Sequence, residues 1–237
     1  MRAVLLYLML LCAPALADQP ATQPAALDPA LSARLAEIDA KAGRVQSIVA
    51  DFRQEKFTAL LSRPLVSNGT IRVRGAEMRW ETLKPERSVL AINPTEARVY
   101  YPDQRVMEIY ALDRRLGDLA ASPLPRLATL KQRFSFAPLE LSQLMPGADP
   151  KRYVALALAP IDPNLRQHVE QVRVLLDAEL GCMVKAEIID GDGDRTSLTF
   201  QNLKLNADAG DLTLSVPAGT RVTRPLEGLS AGKDSGR

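Results

Sequence analysis

The residues able to do chemistry in this 237-residue chain are few and scattered. One histidine, His168, stands at the start of a predicted strand, without the nucleophile and orienting carboxylate that a catalytic base needs. It is read as a surface or strand-edge residue. Cys182 follows Gly181 in a predicted turn and has only Lys185 as a cationic neighbour, so it is read as an inert small residue. The run Asp190-Gly-Asp-Gly-Asp194 resembles the opening of a calcium loop, but Arg195 holds the place of the required glycine and Gln201 that of the bidentate glutamate. Asp-Gly pairs between two strands make hairpin turns, and a turn is the expectation here. Asn68-Gly69-Thr70 fits a glycosylation sequon formally and fits a turn into a strand equally well. The sequence carries no phosphate-binding glycine loop or metal-ligand cluster and gives no support for an enzyme, a cofactor or a metal.

Function must therefore be sought in the elements themselves. The stretch from Asn68 to Asp103 alternates apolar and polar residues with period two, interrupted by turn formers, which predicts a run of short strands. Ile71 and Val73 share one face, as do Met78 and Trp80; Thr70, Arg72, Arg74, Glu77, Arg79 and Glu81 take the other. Such strands belong to an antiparallel sheet covered on one side only. Before them, Asp28 as N-cap and Pro29 at the first helical position open a helix. Its apolar stripe runs through Leu31, Leu35, Ile38, Ala42 and Val45. From Ser47 the period changes to two, with Ile48, Ala50 and Phe52 on one face of a first strand.

Further strands are predicted at Val106–Leu112, Tyr153–Ala159, Val169–Asp177, Met183–Asp190, Arg195–Leu205 and Leu212–Val216. Residues 116–150 break the pattern with five prolines and helical spacings, Leu127 with Leu130 and Leu141 with Leu144 and Met145. They predict one or two short helices, broken by Pro138 and stopped by Pro146-Gly147. About nine to eleven strands are too many for one flat layer and should curl towards a barrel or a sandwich, with the helices on its concave side.

At the N-terminus, Arg2, the apolar run Val4–Leu11 and Ala15-Leu16-Ala17 have the form of a secretory signal peptide over residues 1–17. The apolar run is far shorter than the roughly 20 residues of a membrane-spanning helix. Leu11 before Cys12 argues against a lipoprotein signal. Without residues 1–17 the thiol left is Cys182, so no disulfide within the chain is expected. The formal charge of +2, or +1 without Arg2, argues against nucleic acid as a partner. Residues 18–29 are expected to form a flexible leader, 30–222 one domain, and 223–237 a flexible tail.

The order of several short motifs resembles the LolA family of periplasmic outer-membrane lipoprotein carriers. They are Phe52-Arg53-Gln54 ending a strand, a Gly69-led strand running to Trp80, the K-P-x-x-S-x-L segment Lys84 to Leu90, and Tyr100-Tyr101-Pro102. The Asp190–Asp194 hairpin and Leu212-Thr-Leu-Ser-Val-Pro-Ala-Gly219 continue the likeness, which spans about residues 30–222. The resemblance implies a mainly β fold, an incomplete antiparallel barrel with a helical lid over an apolar cavity. It places Met78, Trp80 and Leu90 on the cavity wall; Ile71 and Val73, by their strand parity, and Leu127, Leu130, Leu144 and Met145 of the helical stretch are expected to line the same cavity. It also implies an arginine that latches the lid, matched here by Arg74, with Arg72 or Arg79 as alternatives; the segment is one residue shorter than the family's and lacks its proline. The implied protein is a monomeric periplasmic chaperone. Its cargo would be acylated lipoproteins or other lipidic molecules, received from an inner-membrane LolCDE-type transporter and passed to an outer-membrane LolB-type acceptor. A carrier of another lipid or a polyene for a different exporter, and a sensory or scaffold domain on the same fold, are the alternatives.

Overall fold

A computed structural model describes residues 27–112 and 127–225. The signal peptide, most of the leader, the start of the helical stretch (113–126) and residues 226–237 of the tail lie outside them. Helix α1 (Pro29–Ala42) begins as expected, with the Asp28 carboxylate accepting hydrogen bonds from the Ala30 and Leu31 amides. Twelve strands follow among the described residues: β1 (Ser47–Phe57), β2 (Leu65–Arg74), β3 (Glu77–Lys84), β4 (Ser88–Ile92), β5 (Glu96–Tyr101), β6 (Val106–Ala111), β7 (Phe134–Pro138), β8 (Tyr153–Pro160), β9 (Gln171–Asp177), β10 (Cys182–Ile189), β11 (Arg195–Leu205) and β12 (Arg221–Thr223). Short helices α2 (Leu127–Lys131) and α3 (Pro163–Arg166) precede β7 and β9.

The strands hydrogen-bond in the order β12-β6-β5-β4-β3-β2-β1-β11-β10-β9-β8-β7, an open sheet that is not closed into a barrel. The ladders from β2 to β6 and from β7 to β11 are antiparallel, while β12 joins β6 in parallel. The described residues form two compact units, one holding 27–45, 52–66 and 127–201, the other 46–51, 67–112 and 202–225.

In the first unit α1 lays Leu35 and Ile38 onto one face of β8–β10, where they meet Val154, Leu156, Leu158, Val174, Leu176 and Ala186. Leu127 of α2 and Phe136 of β7 extend the same cluster. In the second unit the core lies on both faces of β2–β6. Val73, Met78, Ile92 and Ala97 are buried on one face, and Tyr100, Met107 and Ile109 on the other.

Three expectations change. Residues 134–138 form an edge strand where a helix was expected to break at Pro138. Phe134 and Phe136 alternate on the core side, and a proline without an N–H is tolerated at the end of an edge strand. Leu141, Leu144 and Met145 follow with one 3-10 turn, Leu141–Gln143, in place of an α-helix. Residues 212–216 are not a strand: the alternation of Leu212, Leu214 and Val216 is real, but the segment crosses the second unit as an irregular strap and reaches a ladder only at β12.

Gly181 closes the turn after β9 with φ +71°, and an added Cβ there would lie 2.5 Å from the Lys41 Cβ and 3.1 Å from the Ala42 nitrogen. Gly147 has φ +77° with nothing within 4 Å of such a carbon. Gly147→Ala should therefore cost about 1 kcal/mol for its left-handed backbone alone. Gly181→Ala should cost about 2–4 kcal/mol, since the end of α1 must move as well. Urea unfolding of the two variants checks this, and equal midpoints would refute the close approach of α1.

Candidate functional site

The register of β2 to β5 builds an apolar surface of two rows. Ile71 stands opposite Trp80, Trp80 opposite Leu90, and Leu90 opposite Val99. Beside them run Val73, Met78, Ile92 and Ala97, paired in the same manner. Directly paired residues of an antiparallel ladder point to one face, so all eight side chains share it. Trp80 is half-buried and the others are buried, Ile71 and Val99 to 1% exposure. At β6 the rows meet polar groups, because Glu108 pairs with Val99 and Tyr110 with Ala97. The Tyr110 hydroxyl donates to the Glu108 carboxylate at 3.0 Å. That polar end escaped the sequence reading. The regular alternation of Val106, Glu108 and Tyr110 would have shown it, once β6 had been placed in register with β5.

The opposite face carries Arg72, Arg74, Arg79 and Glu81, and the three arginines bond the chain that crosses it. Arg79 donates to the Thr213 carbonyl, Arg72 to the Ala209 carbonyl at 3.4 Å and Arg74 to the Gly210 carbonyl at 3.2 Å. Three guanidinium groups thus supply donors to the main-chain carbonyls of a strap that has no sheet partner among the described residues. The Glu81 carboxylate sits between two of them, bonded to Arg79 and to Arg72 at 2.9 Å. Burial works to raise its pKa, but the bonds and charges of Arg79 and Arg72 prevail and hold it below the ordinary 4.5. Farther along the strap, Leu214 and Val216 cover Tyr100, Met107, Ile109 and Val89. The sheet is therefore covered on this side too, contrary to the one-sided expectation. Arg74, matched by resemblance to a lid latch, here bonds the strap and, at 3.4 Å, Glu77.

The remaining predicted residues lie in the first unit. Leu127 and Leu130 of α2 belong to the α1 side of the sheet, where the Leu127 amide donates to the Asp39 carboxylate at 2.8 Å. Leu144 and Met145 lie on the other side. Lys185, whose neighbour Ala186 faces α1, donates to the Leu144 carbonyl at 2.9 Å from the opposite face. The structure thus does not bring the four onto one surface. The same Lys185 stands 3.3 Å from Glu187, which is 1% exposed and also bonded by Arg195 at 3.2 Å. The second oxygen of Glu187 has no hydrogen-bond partner among the described residues.

The chemistry-bearing groups are accounted for by local structure. Cys182 is buried, and burial together with the charge of Asp177 pushes its thiol up to about 12. His168 sits in the turn after α3. Asp190 closes the β10–β11 turn, its carboxylate accepting the Asp192 and Asp194 amides at 3.2 and 2.9 Å.

A family model described as "Outer membrane lipoprotein carrier protein LolA" matches residues 43–213. An outer-membrane lipoprotein carrier protein of Azotobacter vinelandii is 27% identical over 184 residues, 76% of this chain and 82% of that protein. Among solved structures, an uncharacterized conserved protein from Thermus thermophilus aligns over 82% of this chain and 99% of that one, with TM-score 0.52 and 12% identity, a likeness of fold. The Mycobacterium tuberculosis lipoprotein LppX aligns over 79% of this chain and all of that one, with TM-score 0.47 and 13% identity.

Arg79→Ala should free the strap at Thr213 and raise amide hydrogen exchange across residues 207–216 by about tenfold, with little change in β8–β10. Acid should act in the same place. The folded pKa of Glu81 is lowered, so its contribution is complete above 4.5 and is lost as pH falls through the depressed folded value. Strap exchange, corrected for the intrinsic rate, should therefore hold level above that pH and climb below it. A rise that begins near neutrality would contradict the assignment to Glu81.

Proposed function

Because the chain belongs to the LolA family of outer-membrane lipoprotein carriers, we propose that it is a periplasmic carrier whose acyl-binding surface is the two-row apolar face of β2–β5. The observation that carries this is the uninterrupted register Ile71–Trp80–Leu90–Val99 beside Val73–Met78–Ile92–Ala97. Each buried methylene is worth about 0.8 kcal/mol, so a lipoprotein anchor of two or three chains does not enter water unless a replacement apolar surface is offered. Eight adjacent apolar side chains on one face are such a surface. They are shielded from solvent in this structure, so cargo gains them by an opening of the protein, a two-state change that the ligand biases.

On this proposal the cargo comes from an inner-membrane LolCDE-type transporter and goes to the outer membrane, where a LolB-type acceptor takes it. The carrier name of the Azotobacter relative supports the class of cargo. Leu127 serves the core of its own unit and Leu130 packs against it. The acyl surface is therefore assigned to Ile71, Val73, Met78, Trp80 and Leu90, together with their row partners.

Trp80 is the chain's one tryptophan, so its fluorescence reports on this face. Adding a triacylated lipopeptide should shift its emission in a saturable manner. Met78→Asp should weaken binding by at least tenfold, because a carboxylate would then stand among the chains. An emission unmoved by lipopeptide, or binding indifferent to Met78→Asp, would remove cargo from this face.

A further inference from the structure

The β1–β2 hairpin ends in the loop Thr58-Ala59-Leu60-Leu61-Ser62-Arg63-Pro64, and this loop carries the most exposed large apolar side chain described. Leu60 is 93% exposed, Leu61 46%, and Leu65 at the foot of β2 44%. The tip is a built turn. The Thr58 carbonyl accepts the Leu61 amide at 3.2 Å, and the Thr58 hydroxyl accepts the Leu60 amide at the same distance. Its backbone is satisfied by Thr58 while both leucines are held outward. Leucine has no internal use at such a position, since turn sites commonly take Gly, Asn, Asp or Ser.

The geometry points to a membrane contact: the Leu60-Leu61 tip inserts into the interfacial layer of a lipid bilayer. A convex tip of two leucines offers far less than the ~800 Å² per partner of a stable protein interface, whereas a bilayer closes around any small apolar projection. Charge contributes little. Arg63 is exposed beside the tip, but Lys56 lies 3.7 Å from Asp194, and the neighbouring β10–β11 turn also carries Asp192. Arg53 is engaged with Glu55 at 2.9 Å. Apolar insertion is therefore the driving force, and the contact should persist in salt that screens headgroup charge. Two leucines give weak, reversible attachment, which suits a protein that must leave the membrane again.

The test places an environment-sensitive dye on Leu60→Cys in the full chain with Cys12→Ser; Cys182 is buried and does not compete for label. With vesicles of phosphatidylethanolamine and phosphatidylglycerol, the emission should move to the blue and brighten several-fold. The same dye on Ala76→Cys, in the exposed β2–β3 turn, should not respond. In the chain beginning at Asp18, which keeps every described residue, Leu60→Ser with Leu61→Ser should weaken vesicle partitioning on the order of a hundredfold. Three results would overturn the contact: a dye at position 60 blind to lipid, unchanged partitioning of the serine pair, or a response that needs membranes containing protein. The cargo proposal is read separately through Trp80, which in the serine pair should still respond to lipopeptide. Loss of that response in every form, with vesicle binding intact, would count against the cargo proposal and leave the membrane contact standing.

Discussion

Three arginines reaching the main-chain carbonyls of the strap are the interaction on which the second unit depends. A segment without sheet partners can lie over a buried surface only if its carbonyls find donors, since each unsatisfied one costs about 1–3 kcal/mol. Arg72, Arg74 and Arg79 supply them at Ala209, Gly210 and Thr213. With the strap held, Leu214 and Val216 can shield Tyr100, Met107 and Ile109, and β12 can close onto β6. The charged face of β2–β3 is thus the foundation of a second core.

The first unit solves the same problem by different means. Its sheet takes α1 on one face, and on the other the segment around Leu144, tied down through Lys185. There a carboxylate, Glu187, is buried between Lys185 and Arg195 with one oxygen left without a partner among the described residues. A buried ion pair that is only partly satisfied adds little net stability. Removing one partner would be far more disruptive than replacing the whole group with apolar residues. Lys185, one of its two partners, also donates to the Leu144 carbonyl, so the group is joined to the 141–145 segment.

What could be read from the residues followed how local the determining physics was. The helix start at Asp28-Pro29 and the parity of Ile71, Val73, Met78 and Trp80 depend on neighbours within a turn or a ladder step, and both stand as expected. The Asp190 turn is equally local. The expected sheet of nine to eleven strands is a sheet of twelve, with an open order and one parallel edge pair. Two strands went astray because their fate is set at long range. Leu212–Val216 alternates as a strand does, yet Arg79, more than a hundred residues away, claims the Thr213 carbonyl, and Arg72 and Arg74 bond the chain just before it at Ala209 and Gly210. Phe134–Pro138 looked like a broken helix because only its place at the edge of the sheet makes Pro138 harmless. The faces of Leu127 and Leu144 were likewise invisible, since helical spacing says which residues share a stripe and not which side of a sheet the stripe meets.

Two-sided burial bears on how such a protein could hold and release acyl chains. A sheet covered on one face alone would curl or collapse if that face were opened. Here the strap and its arginines support β2–β6 from the face opposite the rows of Ile71 and Val73, so that support does not run through the residues that cover those rows. On the proposed function, an acyl chain takes the place of the groups now shielding those rows and exchanges one burial for another. The gross burial, about 1.5–3 kcal/mol per large side chain, largely cancels in that exchange. On that proposal binding rests on a small difference between large terms, and a small difference is what any reversible carrier requires: enough to take cargo up, too little to keep it.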